Sequence, residues 1–248
     1  MKILAFDGTA KAASVALLED GKILASYTVD NGLTQSELLL PMAESVLKSL
    51  KLEFSDVDVF ATSVGPGSFT GVRIGVSLIK GLAFGRKAPC VAVSTLEALA
   101  ENLVPLSGIL VPCMDARRNQ VYTGIYEFVR CAVDGKEGTY SLETIEEQCA
   151  VDIHDIAVKL NALGREVCLL GDGVPVFKEI LAELLTVPHS FAPAHMNRQS
   201  AASLAALAQV YYKQGRIESA AEHQPIYLRL SQAERERMES GNSTEGQG

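Results

Sequence analysis

Residues 1–29 read MKILAFDGTAKAASVALLEDGKILASYTV. Residues 3–6 are an apolar run of the length expected of a strand covered on both faces, and the run stops at Asp7. Residues 14–18 and 23–29 read as two further strands, and Asp20-Gly21 between them supplies the positive φ of a tight hairpin. The chain is therefore expected to open as an antiparallel meander whose first strand carries a carboxylate at its end.

Outward from this meander, Thr34 and Glu37 have capping-box spacing, and Leu38, Leu39, Met42, Ala43, Val46 and Leu47 recur with helical period. A helix is expected over 35–50, kinked at Pro41, which lacks the donor for the bond back to Glu37. A strand over 57–64, a glycine-rich loop from Gly65, a helix over 70–84, a strand over 91–93 and a helix through 102 complete the first half. The second half repeats the order. Strands over 109–114 and 120–128 flank the turn 115–119, and a third lies near 140–145. A helix over 152–163, a strand over 167–170, the loop Gly171-Asp172-Gly173, a helix over 174–185 and a last helix over 199–213 follow. Asp115 closes the first strand of this half as Asp7 closes that of the other. Two meander-plus-helices lobes in tandem give the expected fold: α/β, two actin-like (ASKHA, ribonuclease H-like) lobes, each a mixed sheet with helices. The expected divisions are 1–103, 104–230 including the helix 199–213, and a flexible polar tail over 231–248.

Composition narrows the functional classes. The chain has 248 residues, 48% of them hydrophobic, enough for one large core or two modest ones. No apolar stretch approaches the roughly 18 residues of a membrane-spanning helix. Five cysteines without a Cys-x-x-Cys pair read as small buried hydrophobes of a reducing compartment, so an unprocessed cytoplasmic protein without a membrane is expected. A net charge of −8 opposes tight binding of nucleic acid by the chain alone.

The candidate sites are loops. Asp7-Gly8-Thr9, at a strand end, has the residue types of a phosphate loop, although an ordinary turn opening the hairpin is the favoured reading; Gly171-Asp172-Gly173 stands in the corresponding place of the second half, where a strand-ending turn explains it equally well. Gly65-Pro66-Gly67-Ser68-Phe69-Thr70-Gly71 lets the chain reverse tightly and cap the next helix through Ser68 or Thr70, a geometry that also binds anions, but it lacks the Lys-Ser/Thr ending of a Walker A loop. Asp115-Ala116-Arg117-Arg118-Asn119 is a turn with two guanidinium groups, open to a phosphate, a partner's carboxylates or plain solvent. His154, His189, His195 and His223 show no metal-ligand spacing, and no Gly-x-Ser-x-Gly elbow occurs, so neither a metal site nor a catalytic residue is expected.

Four stretches in order resemble the TsaB (also called YeaZ) family: 65–75, including Arg73; Ser94-Thr95-Leu96-Glu97; Asp115-Ala116-Arg117-Arg118 with Gln120-Val121-Tyr122; and Pro225-Ile226-Tyr227-Leu228-Arg229. The similarity runs to about residue 236. It implies a non-catalytic subunit, needing no cofactor, of the complex that forms N6-threonylcarbamoyladenosine beside the anticodon of tRNA. In that setting the chain would pair with the catalytic subunit TsaD, with a TsaE-type ATPase in the complex, meet tRNA only through the complex, and form a homodimer when alone. The candidate phosphate loops would then be degenerate. Two departures from the family pattern stand out: Asp7-Gly8-Thr9 occurs where Asp-Thr-Ser or a close variant is usual, and Gln35 where a histidine is usual. The competing reading is an enzyme in its own right, an actin-fold ATPase or kinase or a glycoprotease-like peptidase.

The first two long helices are apolar over more surface than one lobe is expected to cover. Leu38, Leu39, Met42 and Val46 of the first, with Gly71, Gly75, Leu78 and Leu82 on one stripe of the second, form the candidate partner interface. The two glycines allow close backbone approach, either to a partner or to the helix's own strand.

Overall fold

The structure is a computed structural model that describes residues 1–104, 106, 108–133 and 136–229. The expected flexible tail over 231–248 lies outside them. The meander appears as β1 (Lys2–Asp7), β2 (Ala13–Glu19) and β3 (Lys22–Val29), with Asp20 at φ 49° and Gly21 at φ 86° in the hairpin turn. α1 (Gln35–Ser49), β4 (Val59–Ser63), α2 (Phe69–Phe84), β5 (Cys90–Val93) and α3 (Thr95–Glu101) follow. The second half runs β6 (Ile109–Asp115), β7 (Gln120–Val133), β8 (Lys136–Asp152), α4 (Ile153–Leu163), β9 (Val167–Leu170), α5 (Val174–Leu184), β10 (His189–Phe191) and α6 (Ala201–Lys213). At the start of α1 the Glu37 carboxylate accepts from both the Thr34 amide and the Thr34 hydroxyl.

Both sheets have five strands and the same order, β3-β2-β1-β4-β5 and β10-β9-β6-β7-β8. The meander pairs are antiparallel and the remaining pairs parallel. This repeated mixed sheet is the two-lobed actin-like architecture. β10 escaped the sequence reading because three residues of mixed polarity carry no period; pairing with β9 defines it.

β1 shows why the opening run lacks alternation. Leu4 and Phe6 face α1 and α2, where Leu39, Val46, Leu47 and Ile79 cover them, whereas Ile3 and Ala5 face Leu204, Ala205 and Ala208 of α6. Every side chain of the strand from Ile3 on is buried, and each large one contributes roughly 1.5–3 kcal/mol.

The helix that covers this second face corrects one expectation. The segment 199–213, placed with the second lobe by its position in the order, packs on the first sheet, against β1 and β2. Its sheet-facing Ala201, Ala205 and Ala208 are small, which lets the helix axis lie close to the strands. α3 does the reverse: Leu96, Leu99 and Ala100 pack with Leu110, Met114, Tyr126 and Leu170 of the second lobe. Each closing helix thus braces the other half's sheet, and α3 and α6 touch each other.

Candidate functional site

The end of β1 is closed by the chain itself. Asp7 is fully buried; its Oδ1 accepts from the Thr9 amide (2.9 Å) and hydroxyl (2.7 Å), and its Oδ2 from the Ser63 hydroxyl (2.5 Å). Burial holds the carboxyl above its ordinary pKa, although the three donors work against this. The space above the loop, where a phosphate would need to approach, is filled by the turn after β4. The Ser68 amide donates to Thr9 O at 2.7 Å, and a Cβ on Gly67 would lie 2.8 Å from Thr9 Cβ. Gly67 has φ 155° and Gly65 φ 119°, so this turn depends on glycine for conformation as well as space. Ser68 caps α2 by accepting from the Gly71 amide at 3.2 Å.

Gly8 and Gln35, the two departures from the family pattern, are neighbours. A Cβ at position 8 would lie 2.9 Å from Gln35 Cγ and 3.2 Å from Leu39 Cδ1, and the Gln35 amide donates to Ala10 O at 2.6 Å. A longer side chain at 35 occupies the volume left by glycine at 8.

The other motif stretches meet the 65–75 turn. Gly65 O accepts from the Thr95 amide, and Val64 O from the Ile226 amide at 2.7 Å. Phe69 stacks on Tyr227 with ring centroids 4.8 Å apart, Arg73 lies 4.3 Å over the Phe69 ring, and Arg73 Nε donates to the Tyr227 hydroxyl at 3.0 Å. Arg229 donates to Ala116 O at 2.9 Å, tying the C-terminal stretch to the Asp115–Asn119 turn. In that turn Arg117, Arg118 and Asn119 are all left-handed, at φ 65°, 55° and 57°, and the Asp115 carboxylate receives the Arg117 amide and pairs with its guanidinium. The stretches at 94–97 and 225–229 were legible as motifs, but nothing local in the sequence signalled the Tyr227 and Arg229 contacts.

The Gly171-Asp172-Gly173 loop is a second tight approach. A Cβ on Gly173 would lie 2.9 Å from Cys113 O, and the Gly171 amide donates to the buried Asn197 side chain at 2.6 Å. Burial, followed by the neighbouring Asp115 carboxylate, pushes the Asp172 pKa up to about 6, and its Oδ1 has no aligned hydrogen bond. A second carboxylate beside this loop disfavours a phosphate there.

Of the candidate interface residues, Leu38, Leu39, Met42 and Val46 are buried in the first lobe's own core, so that core covers them before any partner arrives. Gly71 packs on the Gly8 carbonyl and Gly75 on Thr62, at 3.0 Å from a built Cβ. The glycines therefore serve the approach of α2 to its own sheet. Leu78 and Leu82 are only half-buried, and Leu40 and Phe84 are exposed, Phe84 to 75%.

A cleft of about 320 Å³ between the halves is lined by Ser94, Glu97, Tyr126, Glu147, Arg216 and Glu218 among others. Three carboxylates against one guanidinium make it hostile to phosphate. Among the described residues no three His, Cys, Asp or Glu side chains converge to hold a metal ion, and no helix is long and apolar enough to cross a membrane.

A sequence profile of the family described as "TsaD: tRNA N6-adenosine threonylcarbamoyltransferase" matches residues 34–237. A Bacillus subtilis relative, "tRNA threonylcarbamoyladenosine biosynthesis protein TsaB", is 33% identical over 97% of this chain and 99% of its own length. A Haemophilus influenzae relative of the same description is 34% identical over 92% and 94%. The solved structure "YeaZ from Pseudomonas aeruginosa" superimposes with a TM-score of 0.73 at 28% identity, covering 92% of this chain and 99% of that one.

Proposed function

The chain belongs to the TsaD family as a TsaB-type member, and from that premise we propose that it is a non-catalytic subunit in tRNA threonylcarbamoyladenosine formation that binds and supports a TsaD-type transferase. The observation that carries the accessory reading is the closed β1 end: Gly67 and Ser68 sit on Thr9, where a nucleotide's phosphates would have to enter. A stand-alone ATPase or kinase needs that space open and positive charge to receive the phosphates; Gly67 and Ser68 close the space, and the three carboxylates of the cleft repel phosphate. A peptidase needs a nucleophile next to its base. Ser68, the motif hydroxyl, instead caps α2.

The partner contact is assigned to the outward side of α1 and α2, through the exposed Leu40 and Phe84 and the half-buried Leu78 and Leu82, since an apolar strip left partly open on two adjacent helices is what a helix pair from another subunit covers. The same strip pairs with itself in the isolated chain. A TsaE-type ATPase completes the assembly, and tRNA is engaged only through the complex. Gel filtration with light scattering tests this: the chain mixed with the TsaD-type protein of the same cell should elute as a heterodimer, and Leu78→Glu with Leu82→Glu should leave both proteins separate. Native chain and transferase eluting apart at micromolar concentration would refute it.

A further inference from the structure

We propose that the surface formed by Phe69, Arg73, Tyr227, Arg229 and the Arg117–Arg118 turn is a platform for a single-stranded segment of RNA. The inference rests on the tRNA-modification reading and names the part of the chain that meets the nucleic acid. Four arginines gather on it in a chain whose net charge is −8. Arg73 and Tyr227 are joined at 3.0 Å, Tyr227 and Arg229 lie at most about 7 Å apart along the chain, and Arg229 reaches Ala116 O, next to Arg117, at 2.9 Å. Asp115 offsets only Arg117, at 3.3 Å. Arg117 and Arg118 are exposed and held left-handed, a conformation that costs non-glycine residues energy and aims both side chains from one narrow turn.

The aromatic part distinguishes RNA from a merely acidic partner. Tyr227 is 43% exposed although it stacks on Phe69, and its ring is fixed by the Arg73 bond, so its orientation is set before a ligand arrives. A fixed, half-exposed ring beside guanidinium groups suits an unpaired base with its phosphate. The α2 amino terminus, with the exposed Thr70 in its first turn, adds the positive end of a 16-residue helix at the same place. Phosphate contacts of this kind carry no base specificity, so the expected ligand is an unpaired strand rather than a particular sequence.

The probe is a fluorescent single-stranded oligouridine titrated with the full-length chain at low salt, read by anisotropy, with binding of the TsaD-type protein measured on the same variants. Arg117→Glu with Arg118→Glu should weaken RNA binding by about tenfold or more and lower the salt dependence by about one unit of slope per arginine removed. Tyr227→Ala should weaken it about fivefold or more, while Tyr227→Phe, which keeps the ring, should stay within about twofold of the native chain. All three variants should bind the transferase as the native chain does. RNA affinity unchanged in the double variant and in Tyr227→Ala overturns the proposal. So does loss of transferase binding with RNA affinity intact, which would make this surface a protein contact. Absence of transferase binding in the native chain would instead refute the subunit reading.

Discussion

Gly71→Ala and Gly81→Ala make the same change in the same helix with opposite expected signs. A Cβ at position 71 would meet Gly8 O well inside 3.0 Å and Gly8 C at 3.1 Å, and both are backbone atoms that cannot rotate away. α2 must then retreat from β1, losing the Ser68 cap geometry and part of the Ile79 and Ala83 packing. Overpacking of a closed interior costs about 1–3 kcal/mol. Contact with backbone puts this case at the upper end, and the helix-propensity gain of alanine offsets less than about 1 kcal/mol. A net loss of about 2–3 kcal/mol corresponds to a fall in thermal midpoint of about 5–10 °C for a chain of this size. At Gly81, exposed and with nothing within 4 Å of a built Cβ, only the propensity term remains, so alanine should stabilise by about 0.5–1 kcal/mol. Thermal unfolding followed by circular dichroism measures both. Native-like stability of Gly71→Ala, or a loss of similar size in Gly81→Ala, would refute the assignment of the first glycine to contact between α2 and its own sheet.

Three further outcomes follow from the site. Gly8→Thr should destabilise by about 1–3 kcal/mol, and Gln35→Ala should restore part of this, giving a coupling of at least about 0.5 kcal/mol in a double-mutant cycle; additive effects would mean the two positions do not share volume. Asp172 has a folded pKa raised to about 6, so its contribution is favourable at low pH and is lost as pH rises through that value. Asp172→Asn should therefore raise the unfolding free energy measured by denaturant at pH 7.5 by about 1–3 kcal/mol, and lose most of that advantage near pH 4; an advantage independent of pH would contradict the sign. Calorimetry with ATP and magnesium on the isolated chain should show no micromolar binding, and micromolar binding abolished by Asp7→Ala would mean that the turn at Gly67 opens.

Apart from β10 and the full length of β8, the strands and helices of both halves were legible because their signals are local. Residues 3–6 are apolar on both faces, Asp20-Gly21 turns, and α1 and α2 have a 3.6-residue period. The placement of α6 was not, because a helix with small residues on one face records that it packs closely but not on which sheet. The candidate interface residues divide for a related reason. Periodicity finds the apolar side of α1, and that side is satisfied by β1 and β2 within the lobe, while Leu78 and Leu82 of α2 stay half-buried and Leu40 and Phe84 are exposed. Gly71 and Gly75 are compatible with either kind of close approach until the atoms they face, Gly8 O and Thr62 Oγ1, are known. The motif stretches could be recognised singly, yet their convergence joins residues as far apart as Arg73 and Tyr227, which no local pattern encodes.

The most direct test is reconstitution of threonylcarbamoyl transfer to tRNA from purified components, with the TsaD-type transferase present and this chain added or withheld. The account predicts modified adenosine only when both are present, none from this chain with the transferase withheld, and loss of product with Leu78→Glu and Leu82→Glu together. Full-rate modification without this chain, or product formed by this chain without the transferase, would contradict it.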